Sequence, residues 1–544
     1  MLLTNMQNSN RLLFWLLLIL SVVLLYNLGG WGVVETSEAR YAEISREMWL
    51  TGDYLHPRLL EIQHFHKPLV TYVISAFGME LFGPTAFGAR FFLQISLILQ
   101  VWLVFLIGKE LFGNNKQALI AAIVYITIPA VVLSARNLTT DSFLTTFELA
   151  AIWCWVKYKK DAAPGWLYFF YLLLALAFLT KGPVGLIFPV LVAIAFRWPQ
   201  TERIKRASYW HHLPALLLFL VVGASWYVYL MLQNPAFVDY FLFKHTVQRY
   251  ANPETFGRSK PWWFYLVLAP ALSLPWAAIL LIYFRKLKEL PKQLKRLFIL
   301  WILVPLVFFS FSGSKLILYI LPLFAGQALL TSWLLCQLAP DVVAKVTRAS
   351  MLYFVVLAFA LLVAPLVPVG ISLPYLALLL PVLMLVVLLI LWKRPVSSLA
   401  KLLASALAFM LLLLPYATHL MGSNPHLIKG SRPIAHIIQS EQLQNRPVLV
   451  YDNLLPSLAF ELNKNIISIK EESRHLDREI QFENDEKWRE SLLDVKKPED
   501  RRRLNQLLQE PTVLVVKDDL PQKQRWLLRY YKSSQQSGKW TVYY

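Results

Sequence analysis

Apolar runs long enough to cross a bilayer succeed one another along most of this chain, and they decide its class. Fourteen of them lie between 12–29 and 401–420. A helix needs roughly 20 such residues to span the hydrocarbon core. A hydrophobic share of 57% is above that of ordinary soluble domains. The bilayer therefore takes over much of the work of a packed core. The first run, from Leu12, is longer than a signal-peptide core and has no small-residue cleavage site after it, so it reads as a retained span.

Charge sets the topology. The net charge of +20 comes from Lys and Arg gathered in short loops. Lys157, Lys159 and Lys160 form one group; Arg197, Arg203, Lys205 and Arg206 a second; Arg285, Lys286, Lys288, Lys292, Lys295 and Arg296 a third. This is the positive-inside pattern rather than a nucleic-acid surface, and no nucleic-acid partner is expected. With the N-terminus in the cytoplasm, all three groups fall inside only if 68–84 does not cross. That run opens with Pro68 and contains Gly78, Glu80 and Gly83, and it reads as an interfacial or re-entrant helix. The count becomes thirteen spans, and the polar loop 30–89 lies outside. Cys154 and Cys336 sit in apolar runs and read as buried thiols.

Beyond Met421 the sequence turns charged and mixed. "RPVLVYDN" (446–453) and "PTVLVVKDD" (511–519) read as short buried strands, and "LPSLAFEL" (455–462) as a helix leading to a strand at "NIISI" (465–469). The chain divides on this reading into a membrane domain, 1–421, with the outer loop and surface helices at 30–89, and a small outer α/β domain, 422–544.

The polar residues that carry chemistry cluster in the outer segments. "VVETSEARYAEISREMW" (33–49) packs Glu35, Glu38, Arg40, Tyr41, Glu43, Arg46 and Glu47 into one stretch. Thr36 or Ser37 caps a helix there, with Glu38, Tyr41 and Ser45 on one face. A carboxylate at a membrane face can serve as general base toward a hydroxyl; an amphipathic surface helix explains the same pattern. In "HFHKP" (64–68), His64 and His66 share a face of an extended segment, and Lys67 precedes Pro68. Lys67 suits a lipid phosphate, while the histidines suggest a divalent metal only weakly. Asp141, Lys181 and Lys315 stand at outer span ends, where charge is costly. His245 and Arg249 lie one helical turn apart, and Arg249 fits bidentate capture of phosphate. Trp262 and Trp263 suit the aromatic belt of a membrane interface. Carboxylates and cations on one membrane face fit an anionic lipid-linked donor better than a channel or an inverted-repeat transporter.

"SEARYAEISREM", "GDYLHP", "FHKPLVTYV", "TTDSF", "LTKGPVG", "VQRYA" and "SKLILYILP" occur in the order seen in bacterial GT-C glycosyltransferases. Over roughly residues 10–330 the chain resembles the lipid A aminoarabinose transferases of the protein-O-mannosyltransferase-like superfamily. That resemblance implies a thirteen-span GT-C membrane domain in the bacterial inner membrane, with a periplasmic α/β domain. It implies inverting transfer of a sugar from undecaprenyl phosphate to lipid A or another envelope acceptor. Lys67, Arg249 and Tyr319 match residues linked to the donor phosphate, joined by Lys181. Arg40 and Tyr41 match the "RYAE" motif, and Asp141 matches a later outer-loop aspartate. Two positions depart. Ser37 stands where those enzymes carry an aspartate, which leaves Glu38 or Glu35 as the catalytic carboxylate. His66 stands where they carry a glutamate tied to a metal; the metal histidine aligns with Thr246, with His245 beside it. A metal held by His66 and His245 is thus an expectation, not a requirement. The alternatives are the same scaffold acting on protein hydroxyls, and a non-catalytic lipid or polysaccharide transporter.

Overall fold

A computed structural model describes residues 9–195, 209–241, 260–366 and 370–544. His245 and Arg249, and the basic group at 197–206, lie outside the described residues.

The described chain forms two compact units that interleave along the sequence. One comprises Met1–Asn27, Leu93–Leu230 and Val238–His419; the other Leu28–Phe92, Met231–Phe237 and Leu420–Tyr544. The outer loop at 30–89 thus groups with the C-terminal segment.

The first unit is built of apolar helices. Among the described residues seven helices have the length and composition to cross a membrane, and two bent pairs bring the number to nine. The chain is a multi-pass membrane protein on this footing. The helices that position the site are α1 (Ser9–Leu25), α4 (Ala86–Phe112), α5 (Asn115–Ile126), α6 (Pro129–Arg136), α7 (Thr140–Asp161) and α8 (Pro164–Lys181). Asn114 caps α5 by accepting the Lys116 and Gln117 amides. The bend of 60° between α5 and α6 falls just before Pro129, whose ring cannot continue the hydrogen-bond ladder. One polar cluster inside this unit is tightly paired. Gln100 donates to the Ser142 carbonyl at 2.8 Å and accepts from the Tyr125 hydroxyl at 2.7 Å. In hydrocarbon such bonds have no competing water. Cys154 is buried as expected, but Cys336 lies on the exposed side of Leu323–Gln337, because that helix turns one edge outward at its end.

In the second unit, α2 (Ser37–Thr51) and α3 (Val70–Phe82) pack on each other. With 13 residues, α3 is about 20 Å long, short of the ~30 Å of hydrocarbon. Between them β1 (Arg58–Leu59) and β2 (Ile62–Gln63) pair antiparallel. The C-terminal part is a six-stranded sheet in the order β5-β4-β3-β6-β8-β7. Here β3 is Val448–Tyr451, β4 Ile467–Lys470, β5 Leu492–Asp494, β6 Val513–Lys517, β7 Ser534–Ser537 and β8 Trp540–Tyr543. The first four are parallel and the last two antiparallel. The period of two divides the sheet's side chains between two faces. Val448, Val450, Val513 and Val515 join Ile44, Met48, Tyr72 and Ala76 from α2 and α3. Leu449, Tyr451, Leu514 and Val516 face the other way, toward Leu504, Leu508 and Leu527.

Candidate active site

The helix α2 carries most of the expected residues of the outer loop. It ends at Gly52, whose positive φ of 69° lets its amide close on the Met48 carbonyl. Its start differs from expectation: Thr36 makes no side-chain cap bond. Instead Glu38 reaches back, and its Oε2 accepts the Val34 amide at 2.9 Å.

Glu38 is fully engaged. Its Oε1 accepts Arg90 Nε at 2.8 Å and its Oε2 accepts Arg90 Nη2 at 2.7 Å. Arg90 also donates to the Leu28 carbonyl at 2.9 Å and lies 4.2 Å from the centre of the Trp31 ring. Both side chains are buried. A buried bidentate pair of this kind fixes backbone and suits a structural role better than a general base.

Glu35 stands differently. It is half-buried, and Oε1 accepts the Ser457 amide at 2.8 Å. Burial raises its proton affinity, and the Ser457 bonds and Arg40 offset that in part. A carboxylate with raised proton affinity that is still reachable has the attributes of a general base.

Arg40 and the two histidines meet on one residue that the sequence did not single out, Glu479. Arg40 pairs with Glu479 Oε1 at 3.0 Å, and His64 Nδ1 lies 2.9 Å from Oε2. His66 Nε2 lies 3.9 Å from that same oxygen, and the two imidazole centroids are 4.4 Å apart. One ligand atom from each of His64, His66 and Glu479 falls within 4.8 Å of the others. His64, Arg40 and His66 hold Glu479 well below the ordinary carboxylate range. Burial pushes both imidazoles down, His66 furthest. Two imidazoles and a carboxylate form a donor set that zinc accepts, and the lowered values of all three favour the deprotonated forms a metal requires. This is the only such group among the described residues. Gln481 Nε2 closes it at 3.3 Å from His66. The expected partner of His66, His245, lies outside the described residues. Lys67 follows directly and is half-buried, while Tyr41 packs on Tyr72 with centroids 5.4 Å apart.

The first unit brings together Asp141, Lys181 and Tyr319. Lys181 Nζ donates to Asp141 Oδ1 at 2.5 Å and stands 4.2 Å from the Tyr319 ring centre. The ammonium is thus held between an anion and an aromatic face. Asp141 sits in the first turn of α7 and Lys181 at the last residue of α8, opposite ends that antiparallel packing makes adjacent. Glu148, also on α7, is buried, and one of its oxygens has no partner among the described residues. Lys315 donates to the Lys260 and Ser312 carbonyls at 2.8 and 2.6 Å, which gives it a role in loop closure. Trp262 and Trp263 are exposed.

Arg90, Glu479 and Ser457 were missed in the sequence. Arg90 had a signal, a lone arginine inside a long apolar run. Glu479 and Ser457 had none, because their place is set by the fold of the C-terminal segment.

Residues 66–229 match the family model described as dolichyl-phosphate-mannose-protein mannosyltransferase. An undecaprenyl phosphate-alpha-4-amino-4-deoxy-L-arabinose arabinosyl transferase of Pseudomonas fluorescens is 31% identical over 309 residues, 56% of each chain. One from Pseudomonas aeruginosa is 32% identical over 340 residues, 59% of this chain and 60% of that one. The chain thus spans about three fifths or less of the length of the curated relatives it matches. The crystal structure of ArnT from Cupriavidus metallidurans bound to undecaprenyl phosphate superposes with a TM-score of 0.78, over 97% of both chains at 22% identity. The apo form of that protein gives 0.76 with the same coverage. The chain therefore has the GT-C fold of the ArnT structures and is a sequence relative of the aminoarabinose transferases.

Proposed function

We propose that this protein is an inverting glycosyltransferase of the bacterial inner membrane. It moves a sugar from undecaprenyl phosphate to lipid A or a related envelope acceptor on the periplasmic side. The observation that carries this reading is the likeness, over nearly the whole chain, to a structure solved with undecaprenyl phosphate, joined to the ordered loop motifs.

In this reaction the bond between the sugar's anomeric carbon and the phosphate oxygen breaks, and the phosphate leaves with the electron pair. An acceptor oxygen bonds to the same carbon from the opposite face, and its proton passes to a carboxylate. Lys67, Arg249 and Lys181 neutralise the departing phosphate, where charge develops and preorganised cations are worth most. Tyr319 and Asp141 hold the Lys181 ammonium in place. Of the two carboxylates, Glu35 takes the proton, and Glu38 positions α2 through Arg90. Arg40 and Tyr41 line the acceptor side. His64, His66 and Glu479 would hold a divalent metal of the zinc class, which would cross-link the outer loop to the C-terminal segment, with no bond-making step passing through it.

The test is sugar transfer in membranes carrying Lys67→Ala or Arg249→Ala. Near-normal transfer by both variants would sink the donor-site assignment. The match to a protein mannosyltransferase model favours one second reading, transfer to protein hydroxyls. Mass spectrometry of lipid A and of exported proteins from a deletion strain separates the two.

A further inference from the structure

The sheet face formed by Leu449, Tyr451, Leu514 and Val516 is covered by two elements, the helix Pro498–Leu507 and the 3₁₀ helix Gln522–Tyr530. Their inward residues are Leu504 and Leu527. Their outward residues are cationic: Arg501, Arg502, Lys523, Arg525 and Arg529 are all exposed. The two elements touch, since the Arg501 guanidinium lies 5.8 Å from the Trp526 ring centre. Tyr530 adds an aromatic side chain that is 42% exposed. Among the described residues none of the five cations forms an ion pair.

The nearby carboxylates do not neutralise them. Glu499 and Asp500 are drawn to Arg489, and Glu471 accepts from Tyr451 and Gln524. Asp518 and Asp519 sit in the turn before the 3₁₀ helix, beside Lys517. Five like charges on two adjoining elements repel one another, and nothing in the fold repays this. The opposite sheet face packs on α2 and α3, and the exposed apolar residues Phe77, Leu81 and Phe82 belong to α3. Those exposed apolar side chains suit a lipid surface on that side. The basic face therefore turns toward water.

We propose that this face binds an anionic saccharide, one whose phosphate or carboxylate groups are spaced along a sugar chain. Arginine forks suit those groups bidentately, and Trp526 and Tyr530 offer flat faces to sugar rings. On the transferase reading, that saccharide is the charged oligosaccharide part of the acceptor, and the face sets acceptor preference without touching the reacting atoms. Only the identity of the saccharide as acceptor rests on that reading.

The test uses the full-length protein in detergent, with labelled dextran sulfate and neutral dextran as probes. The variant is Arg525→Glu with Arg529→Glu. Its control is Lys487→Glu with Lys496→Glu, an equal charge change at exposed sites elsewhere in the same unit. The first pair weakens dextran sulfate binding by about tenfold at low salt, the control leaves it near wild type, and neutral dextran binds neither. In transfer assays the first pair raises KM for an acceptor with its full anionic oligosaccharide. It leaves KM unchanged for one trimmed to membrane-proximal sugars, and kcat unchanged for both. Unaltered dextran sulfate binding, an equal loss in the control pair, or charge-dependent binding to anionic phospholipid vesicles in place of dextran sulfate overturns the proposal. Equal KM changes on both acceptors overturn it as well. Should the wild type transfer to no acceptor while the binding difference holds, the transferase reading fails and the anion-binding face stands.

Discussion

Arg90 closes on Glu38 through two guanidinium nitrogens, Nε at 2.8 Å and Nη2 at 2.7 Å, with both side chains out of contact with water. A buried pair is expensive to break from one side, because the surviving charge stays in a low-dielectric site. Arg90→Ala or Glu38→Ala is expected to destabilise the second unit by about 3–5 kcal/mol. Melting of the detergent-solubilised protein measures this, and transfer activity should fall in step with the folded fraction. A Glu38→Ala protein that melts like wild type yet transfers nothing would return Glu38 to the chemistry.

Glu35 is expected to separate from Glu38 in the same two measurements. Glu35→Gln keeps an acceptor oxygen for the Ser457 amide, so melting should change little. Loss of the proton-accepting carboxylate should lower kcat by roughly 10²–10⁴ with hydroxyl acceptors. A large melting shift without a specific kcat loss would make Glu35 a structural residue.

Glu47 gives the outer loop a pH dependence whose sign follows from its surroundings. Burial and the neighbouring Glu43 push its carboxyl up to about 8, against bonds from the Glu61 and Leu60 amides and the pull of Arg46. Since the folded-state value lies above the ordinary 4.5, its contribution is most favourable below that value. It is lost as pH rises from there through about 8. Melting temperature should fall across this window, and Glu47→Gln should flatten the fall. The buried imidazoles titrate in the opposite sense, since their values are lowered, so the difference between wild type and Glu47→Gln is the quantity to compare. Parallel curves for the two proteins would refute the assignment.

The membrane class, a helix within the run 68–84 and the strands at 448–451, 467–470 and 513–517 were legible in the sequence. Apolar length, loop charge and period-two patterning are local properties, and they survive folding. The site was legible only in part. The outer-loop carboxylates stood out by density, yet nothing local separates Glu35 from Glu38: one meets an amide of Ser457, the other a guanidinium on α4. His66 was seen, but its partner Glu479 is separated from it by more than 400 positions, and no spacing rule reaches that far. Asp141 and Lys181 were each singled out by the cost of charge at a span end, but their pairing was not foreseen.

That pair makes its own prediction. Lys181 and Asp141 are buried and 2.5 Å apart. Lys181→Met and Asp141→Leu should each destabilise by about 3–5 kcal/mol, and the double variant by clearly less than their sum. On the proposed donor site, Lys181→Met should also raise KM for the donor. Additive single effects would show that the two side chains do not depend on each other.

On the proposed metal site, His64, His66 and Glu479 would hold the ion where the loop after β2 meets the C-terminal segment, and chelation tests the assignment directly. Binding that favours the folded state stabilises by about 2.7 kcal/mol at a hundredfold excess over Kd. Protein purified without chelator should carry close to one zinc per chain, melt lower after chelator treatment, and recover on adding zinc. His64→Ala and Glu479→Gln should abolish both the metal content and the shift. Glu479→Gln also loses the charge that Arg40 pairs with at 3.0 Å, so it should melt lower than His64→Ala even without metal. Lowering the pH toward the ordinary imidazole value of 6.5 and below should release the metal, because protons then compete for the ring nitrogens. A chelator-insensitive melt in wild type, with metal content equal to that of His64→Ala, would leave these residues as an ion-pair anchor: Glu479 ionised, Arg40 on one oxygen and His64 on the other.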